Sequence, residues 1–102
     1  MTKIFFERSG GFMGRKVSAA INLEELPGDL AEVLKEMLDE SDFFDLPADL
    51  TRPPMPDAFT YTITVSTELR QHSVRVSDAT APDDLRPLLD ELNKQARMQR
   101  KV

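Results

Sequence analysis

The chain reads as an α+β domain of order ββαββα, a four-stranded antiparallel sheet with two helices packed on one face. Three observations predict it. Four segments alternate apolar and polar residues with the period of a strand, and they fall into two pairs, each joined by a short turn. After each pair comes an apolar stripe at helical spacing. Every strand has one apolar and one polar face, the pattern of an antiparallel sheet covered on one side only.

Residues 3–8 form the first strand, with Ile4 and Phe6 on one face and Phe5 and Glu7 on the other. Ser9-Gly10-Gly11-Phe12-Met13-Gly14 breaks the alternation with three glycines, and residues 15–23 resume it as Val17, Ala19, Ile21 and Leu23. Two strands around a short Gly-rich loop predict a β-hairpin. Pro27-Gly28 then leads into a helix ending near Ser41, with Asp29 and Glu32 at capping-box spacing and Leu30, Val33, Leu34, Met37 and Leu38 as its stripe.

Asp42-Phe43-Phe44-Asp45-Leu46-Pro47 follows, where one phenylalanine is expected to plug the core and the other to cover a seam. Pro53-Pro54-Met55-Pro56 predicts an extended, stiff connection, because proline cannot serve a central strand. Phe59, Tyr61, Ile63 and Val65 alternate with threonines in a third strand, Glu68-Leu69-Arg70 turns the chain, and His72, Val74 and Val76 share one face of a fourth. The second helix starts at Thr80-Ala81-Pro82-Asp83 and buries Leu85, Leu88, Leu89, Leu92 and Ala96. Pro87 fits only in its first turn or at a kink.

At 102 residues the chain is expected to be one domain, 1–102, with a basic C-terminal end at 97–102 that can fray. It has no cysteine, so neither disulfides nor thiolate zinc sites hold it, which fits a cytoplasmic setting. The N-terminus is too charged for a secretory signal and no stretch has the length of a membrane span. Thirteen Lys and Arg against eighteen Asp and Glu give a formal charge of −5, which disfavours nucleic acid as a partner. The basic residues Lys94, Arg97, Arg100 and Lys101 fit the negative end of a helix macrodipole.

Catalytic chemistry is poorly supplied. His72 is the only histidine, which removes most metal and Ser-His or Cys-His arrangements, and its position favours a half-buried residue tied to backbone. The glycines at 10, 11 and 14 lead from strand to strand, so no helix N-terminus is there to hold a phosphate. The chain is read as a non-enzyme with no cofactor and no metal, working by contact with another protein. Phe12 and Met13, standing between glycines, are the first binding candidates, with Ser9, Gly10 and Gly11 as their frame. Phe44 is the second.

Four segments resemble one family. Phe6 to Gly14 resembles the F-x-R-S-G-G-F-x-G signature of emfourin-like proteins, and Asp42 to Pro47 resembles their D-F-F-x-L-P segment. Pro56 to Tyr61 is similar to P-D-x-F-x-Y, and His72 to Val76 with Pro82 to Leu92 is similar to the H-x-V strand and P-x-x-L-R-P-L-L helix. Met13 departs from the smaller residue expected there. The resemblance implies a protein inhibitor of thermolysin-like zinc metallopeptidases of the protealysin group. Its contact would be the Gly-rich hairpin, with Phe12 as first anchor and Phe44 as second. The open sheet edge of the expected topology suits a monomer or weak dimer. A non-inhibitory protein-interaction module is the alternative.

Overall fold

A computed structural model describes residues 2–10, 16–51, 58–78 and 80–100 of the 102. Strand β1 spans Lys3–Gly10 and β2 spans Val17–Asn22, followed by a 3-10 turn at Leu23–Glu25 and helix α1 at Gly28–Glu40. A second 3-10 turn at Phe43–Asp45 leads to β3 at Asp49–Leu50. Strands β4, Phe59–Ser66, and β5, Gln71–Ser77, precede a third 3-10 turn at Asp83–Leu85 and helix α2 at Arg86–Arg100.

Among the described residues the sheet has five strands in the order β2-β1-β4-β5-β3. β1 pairs antiparallel with both β2 and β4, and β4 pairs antiparallel with β5. β3 runs parallel to β5, Asp49 opposite Arg75 and Leu50 opposite Val76. The expected α+β class holds, but the four-stranded, wholly antiparallel sheet is corrected to a five-stranded mixed one. The added strand is only two residues long, too short to show a period. It forms because the chain leaving Pro47 runs along the outer edge of β5, where Ala48 O accepts from Arg75 N at 2.9 Å. Asp49 closes it by accepting from both the backbone N–H and the hydroxyl of Thr51.

The inward face of the sheet carries Ile4 and Phe6 of β1, Val17, Ala19 and Ile21 of β2, Tyr61, Ile63 and Val65 of β4, and Val74 and Val76 of β5, all buried. Leu34 and Leu38 of α1 and Leu88, Leu89, Leu92 and Ala96 of α2 close the core from that side. The outward face shows Ser18, Thr60, Thr62, Thr64 and Arg75, as their register requires, together with Phe5, which is 45% exposed.

Local differences from the sequence reading have identifiable causes. Asp29 does not cap α1: Pro27 occupies that place, its carbonyl accepting from Ala31 N at 3.0 Å, and no side chain supplies a cap bond. Asp29 instead lies in the first turn, where its charge complements the helix dipole. The α1 stripe is narrower than its periodicity suggests, because Leu34 and Leu38 are buried while Val33 is exposed. Thr80 is not a helix start; its hydroxyl accepts from Ser77 N and ties that turn. The α-helix begins at Arg86, which puts Pro87 in the first turn, where its missing N–H costs nothing. Helix α2 runs to Arg100. No helix among the described residues is long and apolar enough to cross a membrane.

Candidate functional site

The antiparallel register gives the sheet two ends. At one, β1 finishes at Gly10 opposite Phe59, and β2 begins; at the other, β4 and β5 meet through the turn carrying Leu69. From Lys3 to Gly10 the separation is roughly 23 Å at the usual rise of a strand.

The Gly10 end is tied by polar side chains. Arg8 follows Ile4 and Phe6 on the inward face of β1, so its guanidinium enters the gap between the sheet and α2. It lies 4.9 Å from the centroid of the Phe59 ring, and its Nη1 donates to Asn93 Oδ1 at 2.9 Å. Its Nε is buried without a hydrogen-bond partner among the described residues. Beside it the Tyr61 hydroxyl donates to Asp78 Oδ1 at 2.6 Å, while Asp78 Oδ2 accepts from Phe59 N at 3.2 Å. Arg86 Nη2 donates to the Asp78 carbonyl, so α2 is fastened to the same turn. Burial, and then the hydrogen bond to the Asp78 carboxylate, push the Tyr61 hydroxyl up to about 12 from its ordinary 10.0. A phenol kept protonated in this way is a donor, not a base.

These contacts hold the end of β1 that Ser9 and Gly10 form. Both belong to the strand, opposite Thr60 and Phe59, rather than to the loop the glycines suggest. Gly10 has φ +89°, and a Cβ there would stand 3.0 Å from the Ala58 carbonyl oxygen, so the position requires glycine.

The Leu69 end is built from rings. Phe43 is buried, and its ring meets Phe44 and His72 edge-on with centroids 5.7 Å away in each case. His72 Nε2 lies 2.7 Å from the Leu46 carbonyl, the backbone tie expected of it. The Arg70 guanidinium sits 3.9 Å above the Phe44 ring. Thus Phe43 plugs the core and Phe44 covers it. Next to them a groove of about 550 Å³ is lined by Lys35, Leu38, Phe44, Val65, Leu69 and Arg70.

The predicted site residues are therefore separated. Ser9 and Gly10 lie at one end, Phe44 lies at the other, and Gly11, Phe12 and Met13 fall outside the described residues. Sequence reasoning passed over Leu69, which is 95% exposed. The available signal was a leucine at a turn position where small or polar residues usually stand. No group of three or more His, Asp or Glu side chains suited to a metal occurs among the described residues.

Segments far apart in sequence become neighbours in pairs. Arg8 of the first signature meets Phe59 of the third and Asn93 of the last helix; Phe43 and Phe44 of the second meet His72 of the fourth. No curated protein and no solved structure matches the chain. The family model described as Emfourin matches residues 6–93, a span that runs from the inward Phe6 of β1 to the Asn93 that holds Arg8. The chain belongs to the Emfourin family.

Proposed function

We propose that this chain is a protein inhibitor of thermolysin-like zinc metallopeptidases of the protealysin group. The observation that carries the reading is the family match over residues 6–93, which includes all four resembling segments. The site geometry is compatible with it: Arg8–Asn93 and Tyr61–Asp78 bonds hold the Gly10 end, and ring packing holds the Leu69 end. An inhibitor needs surface held in its binding geometry, so that little conformational freedom is lost on association.

The segment Ser9, Gly10, Gly11, Phe12 and Met13 is the proposed primary contact, with Phe12 as its apolar anchor. The Arg8 contacts support this assignment by fixing the strand from which the segment departs. A stable complex buries about 800 Å² on each partner, so surface beyond that segment must take part. The test is titration of the purified chain into thermolysin and into a protealysin-like peptidase, with peptide hydrolysis followed. Stoichiometric loss of activity is expected, and Phe12→Ala should weaken it at least about tenfold, the size of one large apolar side chain withdrawn from a pocket. Unchanged inhibition by that variant, with an unchanged melting curve, would remove the hairpin segment from the contact.

A further inference from the structure

We infer that Leu69, at the tip of the β4–β5 turn, is a second apolar anchor for the peptidase, inserted into a side-chain-sized apolar pocket of that enzyme. The inference rests on the inhibitor reading and adds a contact to it.

Leu69 serves no packing purpose. It is 95% exposed, whereas Leu23, Leu34, Leu38, Leu85, Leu88, Leu89 and Leu92 are buried. Isolated exposed leucines are ordinary on protein surfaces. This one differs in how it is held. Thr67 N donates to the Arg70 carbonyl at 2.8 Å, and the Thr67 hydroxyl accepts from both Leu69 N and Arg70 N, at 3.2 and 3.1 Å. The turn is thus fixed by a side chain that takes the place of a carbonyl acceptor. Its next residue, Arg70, is anchored in turn over the Phe44 ring. A leucine presented on such a turn loses little backbone freedom when it is buried by a partner, so most of its transfer energy goes to affinity.

The surroundings define the partner's surface. Beside Leu69 the groove has an apolar floor at Leu38 and Val65, and its charged lining residues are Lys35, Arg70 and Asp39. Glu68, exposed next to Leu69, adds a second carboxylate, so among the described residues two cations and two anions surround the anchor. What the partner must offer is an apolar pocket with a mixed-charge rim. Phe44 acts here as support, because the Arg70 guanidinium covers its face. The two ends are roughly 23 Å apart along β1. Leu69 lies beyond Ser66, the partner of Lys3, so its distance from Gly10 exceeds that length. A contact reaching both ends would need the full width of a standard interface, about 30 Å for a round patch of roughly 800 Å².

The test compares wild type, Leu69→Ala and Leu69→Met in the same titrations against thermolysin and a protealysin-like peptidase, with melting curves for each. Leu69→Ala should raise the half-inhibitory concentration at least about tenfold with no change in melting, and Leu69→Met should recover most of the loss. Equal inhibition by Leu69→Ala and wild type overturns the inference and leaves the inhibitor reading intact. A wild type that inhibits neither enzyme removes that reading, and the second anchor falls with it.

Discussion

At the Gly10 end, Arg8, Tyr61, Asp78 and Asn93 tie two strands, the turn after β5 and a helix through directed hydrogen bonds, whereas at the Leu69 end Phe43, Phe44 and His72 are joined mainly by contact between rings. Directed bonds fix position but contribute little net energy, since water competes for the same groups. Buried rings contribute more and specify less. One end is thus a place where geometry is set, the other a place where stability is stored, and the two should respond differently to substitution.

The largest expected effect is at the Leu69 end. Phe43→Ala should destabilise the chain by about 3–5 kcal/mol, the range for a buried phenylalanine whose cavity cannot fully collapse. Phe43 is 1% exposed and is the ring that both neighbours lean on. Urea unfolding would measure it. A loss below about 1 kcal/mol would mean that the ring cluster is replaceable packing and would erase the contrast between the ends.

At the Gly10 end the corresponding change is Asp78→Asn, which should cost about 1 kcal/mol near neutral pH and should be read best by titration. The chain has one tyrosine and no tryptophan, so the near-ultraviolet absorbance of tyrosinate reports Tyr61 alone. In the folded wild type Tyr61 titrates at about 12 against an ordinary 10.0. Because the folded value is raised, its contribution to stability is complete below pH 10 and is lost as pH climbs through about 12. Asp78→Asn removes the carboxylate's charge but not the burial, so the midpoint should fall while staying above the ordinary value. An unmoved midpoint would show that burial alone governs the group and that the network is looser than its 2.6 Å bond implies.

The same division explains what could be read from the residues. Strands and helices were legible because burial imposes a period. The Phe43-Phe44 pair was legible as one core ring and one covering ring but not as to which was which, and His72 was legible because a lone histidine on a core-facing register has few environments. β3 was not legible, since its pairing is a backbone event between Ala48 and Arg75 that no side-chain pattern records. Nor was the apparent capping pair Asp29 and Glu32 informative, because Pro27 had already supplied the helix start. Arg8 was counted within a signature, although the parity of Ile4 and Phe6 places it inward. Turn chemistry masked Leu69: the Thr67 hydroxyl does the work usually done by glycine or asparagine, so the leucine read as an ordinary turn residue although its size at that position was a signal.

The smallest predicted effect has the opposite sign and isolates the backbone. Each end has a residue at positive φ, Gly10 at +89° and Asp42 at +51°. Gly10 is already the residue its conformation demands, and Gly10→Ala should destabilise by more than about 1 kcal/mol through the Cβ that would meet Ala58 O. Asp42 follows the last turn of α1 in a left-handed conformation that glycine occupies more easily, and its side chain makes no capping bond. Its backbone does the bending, with Asp42 N donating to Asp39 O and Asp42 O accepting from Asp45 N, and this aims Phe43 into the core. Asp42→Gly should therefore stabilise by up to about 1 kcal/mol, reduced by glycine's greater freedom in the unfolded chain. Asp42→Ala keeps the strain without the carboxylate, so comparing the two by urea unfolding separates backbone from charge. A loss in Asp42→Gly equal to that in Asp42→Ala would assign Asp42 a stabilising side-chain role and make the Leu69 end as dependent on polar chemistry as the Gly10 end.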